Sequence, residues 1–536
     1  MRVQRWWLPI AAGEIGESVF AVGLMGQETE LKFVGPEDAL ARLRRAAALR
    51  RVARKQKPHT RALKAIYFDT ETHTLREAGF VLRVRNDGKG FVQTIKTVNG
   101  VNVATRMEIK AEVAEQLPEI EAIPDEALRK RIAKLLKGEE LKALFSVEMK
   151  RTTILLRPQR GTEIEAAFDV GDIRCGTARL PISEFELELL KGDVPALIAC
   201  ARELTAECGL TLSLQSKAER GYSLARQSAE TPIMAGRLGL PPGASADDAF
   251  ARIVGHCLRH LLGNWPAVMA GRDPEGVHQM RVALRRLRSA FSLFAGPFRE
   301  AMKEIEREVR WIADVLGVAR DLDVFQDEVL KPAADAHGDD DRLQQLSTLV
   351  RSRRRIAWHA LLEALESERF RRLALELAAV TFARPWSQVP IGGVEAMVPA
   401  RDFAFERLSQ RYARARKLGK RIDKLDVEKR HALRIRLKKL RYAVDFFSSL
   451  FPAKRTVRFL SRLSDVQDVL GEMNDAAVAR ALVGEMLAGH SDAAGPGVSY
   501  AAGVVVGWHV GHLRDRGRLL KKRWKRFAKV TAPWEL

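Results

Sequence analysis

Cysteine is scarce in this chain, with four residues in 536: Cys175, Cys200, Cys208 and Cys257. None sits at CxxC spacing, which excludes a disulfide framework and a cysteine zinc site and leaves small buried hydrophobes in a reducing cytosol. Long apolar runs are also missing. No stretch approaches the ~20 residues that cross a bilayer, so no membrane association is expected. The opening from Met1 to Leu24 places Arg2 and Arg5 before Trp6, Trp7 and Leu8, but Glu14 and Glu17 interrupt its apolar part and make a poor signal peptide. Residues 1–24 read as an N-terminal extension with no assigned function. Aromatics are few, 7% of the chain, and do not interleave with its basic stretches. Without stacking rings or base-reading Asn and Gln among the cations, nucleic acid is disfavoured as the main partner.

What the chain has in excess is positive charge, +22 at a pI near 10. An anionic partner follows from that field. The excess is uneven: residues 1–225 hold 36 Lys and Arg against 31 Asp and Glu, and residues 226–536 hold 54 against 37. The length and a hydrophobic share of 46% suit more than one domain, each with an ample core.

The first half alternates with period two, which is the signal of strands. In residues 27–34, Glu28, Glu30 and Lys32 share one face and Thr29, Leu31 and Phe33 the other. Arg83 and Arg85 oppose Leu82 and Val84 in the same way. Lys96 ends the next run, 91–96, after the turn-rich 86–90, and Arg106, Glu108 and Lys110 share a side over 105–113. Further strands are expected at 65–69, 145–156 (with Arg151), 162–168 and 182–190. Glu163 and Glu165 fall in phase with Asp169, and Glu184, Glu186 and Glu188 with one another. Helical stretches at 37–54, 125–136 and 194–208 lie between them. An antiparallel sheet charged on one face and apolar on the other closes into a barrel whose apolar face the helices cover. An isolated pair such as Glu163 and Glu165 is ordinarily just a solvated strand face. The ensemble of alternating charge is what resists that explanation.

Glu28-Thr29-Glu30-Leu31-Lys32 resembles the ExExK signature of CYTH proteins, the triphosphate tunnel metalloenzymes. By itself ExExK is a weak pattern. The set is specific: Arg83-Val84-Arg85, Lys96, Arg106-Met107-Glu108, Arg151, Asp169-Val170-Gly171, Glu184 to Glu188 and the closing Ser216 to Tyr222 all resemble the family, over residues 25–225. The resemblance implies an α+β domain with an eight-stranded antiparallel β-barrel that binds a triphosphate and cleaves a phosphoanhydride with magnesium, manganese being the alternative. Glu28, Glu30, Glu108, Asp169, Glu184 and Glu186 are then the candidate metal ligands, since magnesium takes oxygen donors and keeps several waters. Lys32, Arg83, Arg85, Lys96, Arg106, Arg151 and Lys217 would neutralise substrate oxygens. Glu28, Glu30 and Lys32 stand as the catalytic group, with the general base left open.

Past residue 225 the texture changes. Residues 226–244 gather Pro, Gly, Ser and Ala and read as a linker, and from 245 to 536 nearly every stretch has helical periodicity. One basic helix recurs here. His278, Arg281, Arg285 and Arg288 fall within roughly 80° of arc on a helix, and His431, Arg434, Lys438 and Arg441 repeat the stripe 153 residues on. A cationic stripe is ordinarily a solvated face. Here acids for i,i+4 pairing are almost absent, and the repeat returns with its sequel. Asp314-Val315-Leu316-Gly317 to Asp321 is echoed by Asp468-Val469-Leu470-Gly471 to Asp475. Asn474 stands where the first copy has Arg320, so the copies are not equivalent.

These helices and their LG…D sequel look like a CHAD domain, the conserved-histidine α-helical domain. The resemblance implies an all-α domain of two pseudo-symmetric four-helix bundles binding long-chain inorganic polyphosphate through both stripes. The expected whole is a metal-dependent inorganic triphosphatase splitting tripolyphosphate into diphosphate and phosphate, with a C-terminal polyphosphate-binding domain. The alternative is a non-catalytic polyphosphate-binding protein. A cytoplasmic location, at polyphosphate granules, goes with either.

Overall fold

The computed structural model describes residues 26–54, 57–86, 88, 90–97, 105–206, 208–226, 231–271, 273–384, 397–488, 496–511 and 516–535. The N-terminal extension and the side chains of Glu28, Arg106 and Asn474 lie outside the described set.

The first half is a nine-stranded antiparallel sheet: β1 Gly26–Val34, β2 His59–Asp69, β3 Phe80–Asn86, β4 Phe91–Thr97, β5 Thr105–Val113, β6 Lys142–Leu156, β7 Glu163–Cys175, β8 Ala178–Lys191 and β9 Thr211–Leu212. Their order is β5-β4-β3-β2-β6-β7-β8-β1-β9, and a further β1–β5 pairing joins the ends of the sheet. β9, one strand beyond the eight expected, adds to β1 at Phe33 and Val34. It is two residues long, too short for alternation to reveal. β7 and β8 run longer than their hydrophobic patterns, with Ile173 buried in the added length of β7 and charge at the tip, where Asp172 accepts from Arg179 at 2.5 Å and pairs with Arg174 at 3.8 Å.

Short helices cover the apolar outer face. α1 (Glu37–Arg45) and α2 (Ala47–Val52) break at Ala46, whose ψ of 137° leaves the helical region, so 37–54 is two helices. α3 (Thr74–Glu77) precedes β3. α4 (Glu126–Leu136) starts at Asp125, whose carboxylate accepts from Leu128 N, and packs Ile132 and Leu136 on Phe68, Leu82 and Val84. α5 (Val194–Thr205) is capped the same way by Asp193. Period-two patterning therefore sends Leu82 and Val84 to this layer and Arg83 and Arg85 to the other side.

The inner face is not charged throughout. Tyr67, Val81, Phe145, Val147, Ile173 and Ile182 form an apolar cluster there, closed by Ala218 and Tyr222 of α6 (Lys217–Ala225). α6 is fixed at its start by a capping box between Ser216 and Glu219. Near its end, Tyr222 OH donates to the buried Asp69 at 2.9 Å. Between them Gly221 lets the helix lie against Phe145, since a Cβ there would come 2.0 Å from the ring. That ring cannot give way, being stacked on Tyr67 at 4.6 Å and met edge-on by Tyr222 at 5.3 Å. Gly221→Ala is expected to destabilise by about 1–3 kcal/mol or more, read as a lower denaturant midpoint.

Residues 231–244 have no regular structure, yet they are tied down. Ile233 exchanges hydrogen bonds with the Asn264 side chain at 2.8 and 2.9 Å, and Leu240 N donates to Ser449 Oγ at 2.9 Å. The remainder is helical: α7 Ala246–Gly263, α8 Trp265–Met269, α9 Pro274–Leu293, α10 Ala295–Val324, α11 Lys331–His337, α12 Asp341–Glu366, α13 Glu368–Ala383, α14 Ala400–Gly419, α15 Val427–Phe446, α16 Ala453–Ala488, α17 Pro496–Gly511 and α18 Arg516–Ala528. A π-helical segment, Phe325–Leu330, joins α10 to α11. One apolar core runs from the outer face of β1 and β8 through α5 into α7 and α13. Arg202 of α5 adds a two-pronged pair to Glu376 of α13, at 2.7 and 2.6 Å. No described helix is long and apolar enough to cross a membrane.

Candidate active site

The strand register decides which charges meet. Across β1 and β8, Glu30 faces Glu188 and Lys32 faces Glu186; across β7 and β8, Glu165 faces Glu188 and Asp169 faces Glu184. Arg151 of β6 faces Asp169, and Lys96 of β4 faces Glu108 of β5. Each of these residues sits at an inward position of the pleat, so their side chains converge. One cavity is lined by Glu30, Lys32, Arg83, Arg85, Lys96, Glu108, Arg151, Glu186 and Lys217, joined by Tyr67, Lys110, Glu165, Glu188, Ser216 and Glu219. Glu28 faces Arg106 in the backbone register of β1 and β5.

Two ion-pair groups stand out. Glu108, 7% exposed, is met by Arg83 at 3.3 Å, Lys96 at 3.1 Å and Lys110 at 3.8 Å. On the other wall Asp169, Glu184 and Glu186 are buried, with carboxylate oxygens within 4.8 Å of one another. Arg151 grips Asp169 through Nε at 2.7 Å and Nη2 at 2.6 Å, and reaches Glu186 at 2.5 Å. Lys217 Nζ lies 2.8 Å from Asp169, 2.6 Å from Glu184 and 2.8 Å from Glu186. Lys32 stands 3.9 Å from Glu184 and 3.6 Å from Glu186, and donates to Gln215 O at 3.4 Å.

Burial works against the charges of Glu186, Lys217 and Arg151, and their pairing overcomes it. Against that burial, Lys217, Arg151 and Lys32 hold the Glu186 carboxyl well below its ordinary range. The carboxylates in turn hold Lys217 and Arg151 well above theirs, again against burial. The oxygen donors of Asp169, Glu184 and Glu186 are hard ligands of the kind magnesium takes. They are also engaged by cations already, so a metal there would have to share or displace them.

A family profile for the CYTH domain matches residues 26–222, and one for the CHAD domain matches residues 252–484. The chain is a CYTH domain followed by a CHAD domain. An uncharacterized protein of Mycobacterium tuberculosis is 27% identical over 448 residues, 80% of this chain and 83% of its own length. An inorganic triphosphatase of Haemophilus influenzae is 35% identical over 159 residues, 30% of this chain and 44% of that protein. The crystal structure of a CHAD domain from Ricinus communis covers 56% of this chain and 98% of its own, at 31% identity and a TM-score of 0.49.

In the CYTH domain, some residues at or beside the cavity escaped the sequence reading. Arg220 donates to Glu184 at 2.6 Å from one turn beyond Lys217, and that i,i+3 spacing was the available signal. Glu165 and Glu188 line the cavity, while their neighbour Glu163 pairs with the exposed Arg157. Phase alone cannot separate the inner position from the one at the strand's end.

In the CHAD domain the two stripes lie on α9 and α15, which pack together and are bridged by Arg286 and Asp445 at 3.7 Å. His278, Arg281 and Arg285 are half-buried and Arg288 is exposed; Arg434 and Lys438 are half-buried while His431 and Arg441 are exposed. The repeated LG…D motif packs against the first stripe: Arg281 pairs with Asp321 at 3.3 Å and lies over Gly317. In the second copy Arg441, at the position of Arg288, donates to Gln467 at 3.4 Å. Burial, and then the charges of Arg320, Arg285 and Arg281 opposed by Glu275, push the His278 imidazole down to about 4.

Proposed function

We propose that the CYTH domain is an eight-stranded tunnel that hydrolyses inorganic tripolyphosphate to diphosphate and phosphate, and that the CHAD domain binds long-chain inorganic polyphosphate between two pseudo-symmetric bundles. The observation that carries the catalytic part is one cavity of the CYTH domain that holds both carboxylates and a near-complete set of the expected cations, Lys32, Arg83, Arg85, Lys96 and Arg151 among them. Binding a polyanion needs the cations alone; burying acids beside them makes sense where a metal must also be held. The Haemophilus relative's name supports the same substrate class.

In this reading Lys32, Arg83, Arg85, Lys96, Arg106, Arg151 and Lys217 take the phosphate oxygens and place the anhydride for in-line attack. Glu28, Glu30, Glu108, Asp169, Glu184 and Glu186 supply the oxygen donors for magnesium or manganese. The metal, when bound, orients the attacking water and neutralises developing charge. The rest is positioning, which suits phosphoryl transfer. Phosphate release from tripolyphosphate by the intact chain with magnesium tests it, against ATP and long polyphosphate as competing substrates.

For the CHAD domain, His278, Arg281, Arg285, Arg288, His431, Arg434, Lys438 and Arg441 are the proposed phosphate contacts, and a cytoplasmic location, at polyphosphate granules, completes this reading. His278 is neutral at pH 7 in the free protein, because its folded value is depressed. A bound polyanion raises that value, so binding takes up a proton. Affinity should therefore rise as pH falls from 7 toward 5, and His278→Asn should flatten the dependence. Calorimetry in buffers of different ionisation enthalpy would read the proton directly. An unchanged pH profile in the variant would remove His278 from the contact set.

A further inference from the structure

One ammonium sits among the three carboxylates that could together hold a divalent cation. Lys217 Nζ contacts Asp169 Oδ2, Glu184 Oε2 and Glu186 Oε1 at 2.6–2.8 Å. Arg151 takes Asp169 Oδ1 and Glu186 Oε2, and Arg220 takes Glu184 Oε1. Every oxygen of the three carboxylates has a cationic partner. Three negative charges face three positive ones, with Lys32 a fourth at 3.6 Å from Glu186. A divalent ion entering this cluster meets carboxylates whose charge is already balanced and whose oxygens it must share or take over.

We propose that Lys217 is a built-in competitor for the metal: it keeps the ion off these carboxylates in the substrate-free tunnel and releases them when triphosphate arrives, so metal and substrate load together. The inference rests on the triphosphatase reading above. Two features of the chain support the exchange. Arg151 is planar and holds Asp169 with two parallel bonds, whereas Lys217 is a point charge on a flexible stem and can turn toward a phosphate without moving its helix. Its helix is meanwhile fixed by the Ser216–Glu219 capping box and by Tyr222 on Asp69, so only the side chain has to move. Linkage then requires reciprocity: whatever factor the substrate adds to metal affinity, the metal adds to substrate affinity.

The test is Mn2+ binding by the full chain, followed by electron paramagnetic resonance, which separates protein-immobilised ion from ion chelated by free ligand. The imido analogue of tripolyphosphate stands in for substrate. Wild type should bind Mn2+ weakly alone and ~10-fold or more tighter with the analogue, within the usual range of coupling. Lys217→Met should bind Mn2+ alone by a similar factor more tightly and lose most of the enhancement, while Lys217→Arg, which keeps the charge but grips as a rigid fork, should stay weak for Mn2+ alone and gain less from the analogue than wild type. Equal Mn2+ affinity in wild type with and without the analogue would overturn the proposal. So would a folded Lys217→Met with no gain. Should Lys217→Met fail to fold, the wild-type comparison decides alone. Phosphate release from tripolyphosphate, measured in parallel, reports separately on the hydrolase reading.

Discussion

Glu30→Ala, made together with Glu28→Ala, is expected to lower phosphate release from tripolyphosphate on the order of 10³-fold, the scale of losing one electrostatic group aimed at developing charge. Glu30 lines the cavity and faces Glu188 across the β1–β8 ladder, two residues from Lys32 on the same face. Glu28 is paired with Arg106 in the backbone register of β1 and β5. The Glu30 substitution removes no apolar packing, because Leu31 and Phe33, on the opposite face, carry β1's contribution to the core. The variant should therefore fold, keep its circular dichroism and lose turnover in kcat. Activity above a tenth of wild type would take these two residues out of the catalytic group.

Arg151→Ala is expected to damage both stability and turnover. Arg151 is the only described residue that bonds Asp169 twice and Glu186 as well, and without it two buried carboxylates lose a partner. Breaking a buried pair from one side costs about 3–5 kcal/mol, because the remaining charge stays out of water. The pH dependence has a definite sign. The folded Glu186 value is depressed, so its pairing stabilises the protein above the unfolded carboxyl value, near 4.3, and that stability is lost as pH falls through the folded value. Removing Arg151 raises the folded value, so acid unfolding should begin at a higher pH. Urea titrations across the acid range would show this as a shifted midpoint. An unshifted midpoint would mean that Lys217 and Lys32 hold Glu186 without it.

Much of this was legible from alternation. Arg83 and Arg85 against Leu82 and Val84, or Lys32 against Leu31 and Phe33, state in residues which side of a strand meets water and charge. The repeated basic helix and its LG…D sequel were equally plain, because two copies of a spacing confirm one another. What stayed hidden depends on contacts between distant segments. The apolar end of the inner face uses Tyr67, Phe145 and Ile182, which look like ordinary outer-core residues until α6 is seen packed on them. Lys217's position among three acids follows from that packing and from Gly221's missing Cβ, neither of which has a period. The shared core between the domains, with α5 on α13, likewise joins residues far apart in the chain.

The most direct test of the account is the product balance when the intact chain meets tripolyphosphate and magnesium. One phosphate and one diphosphate per molecule consumed, abolished by chelation and by the Glu28/Glu30 double substitution, is the predicted result. Tight binding of tripolyphosphate with no phosphate released under any divalent metal would contradict it, leaving a protein that holds phosphate chains and does not cut them.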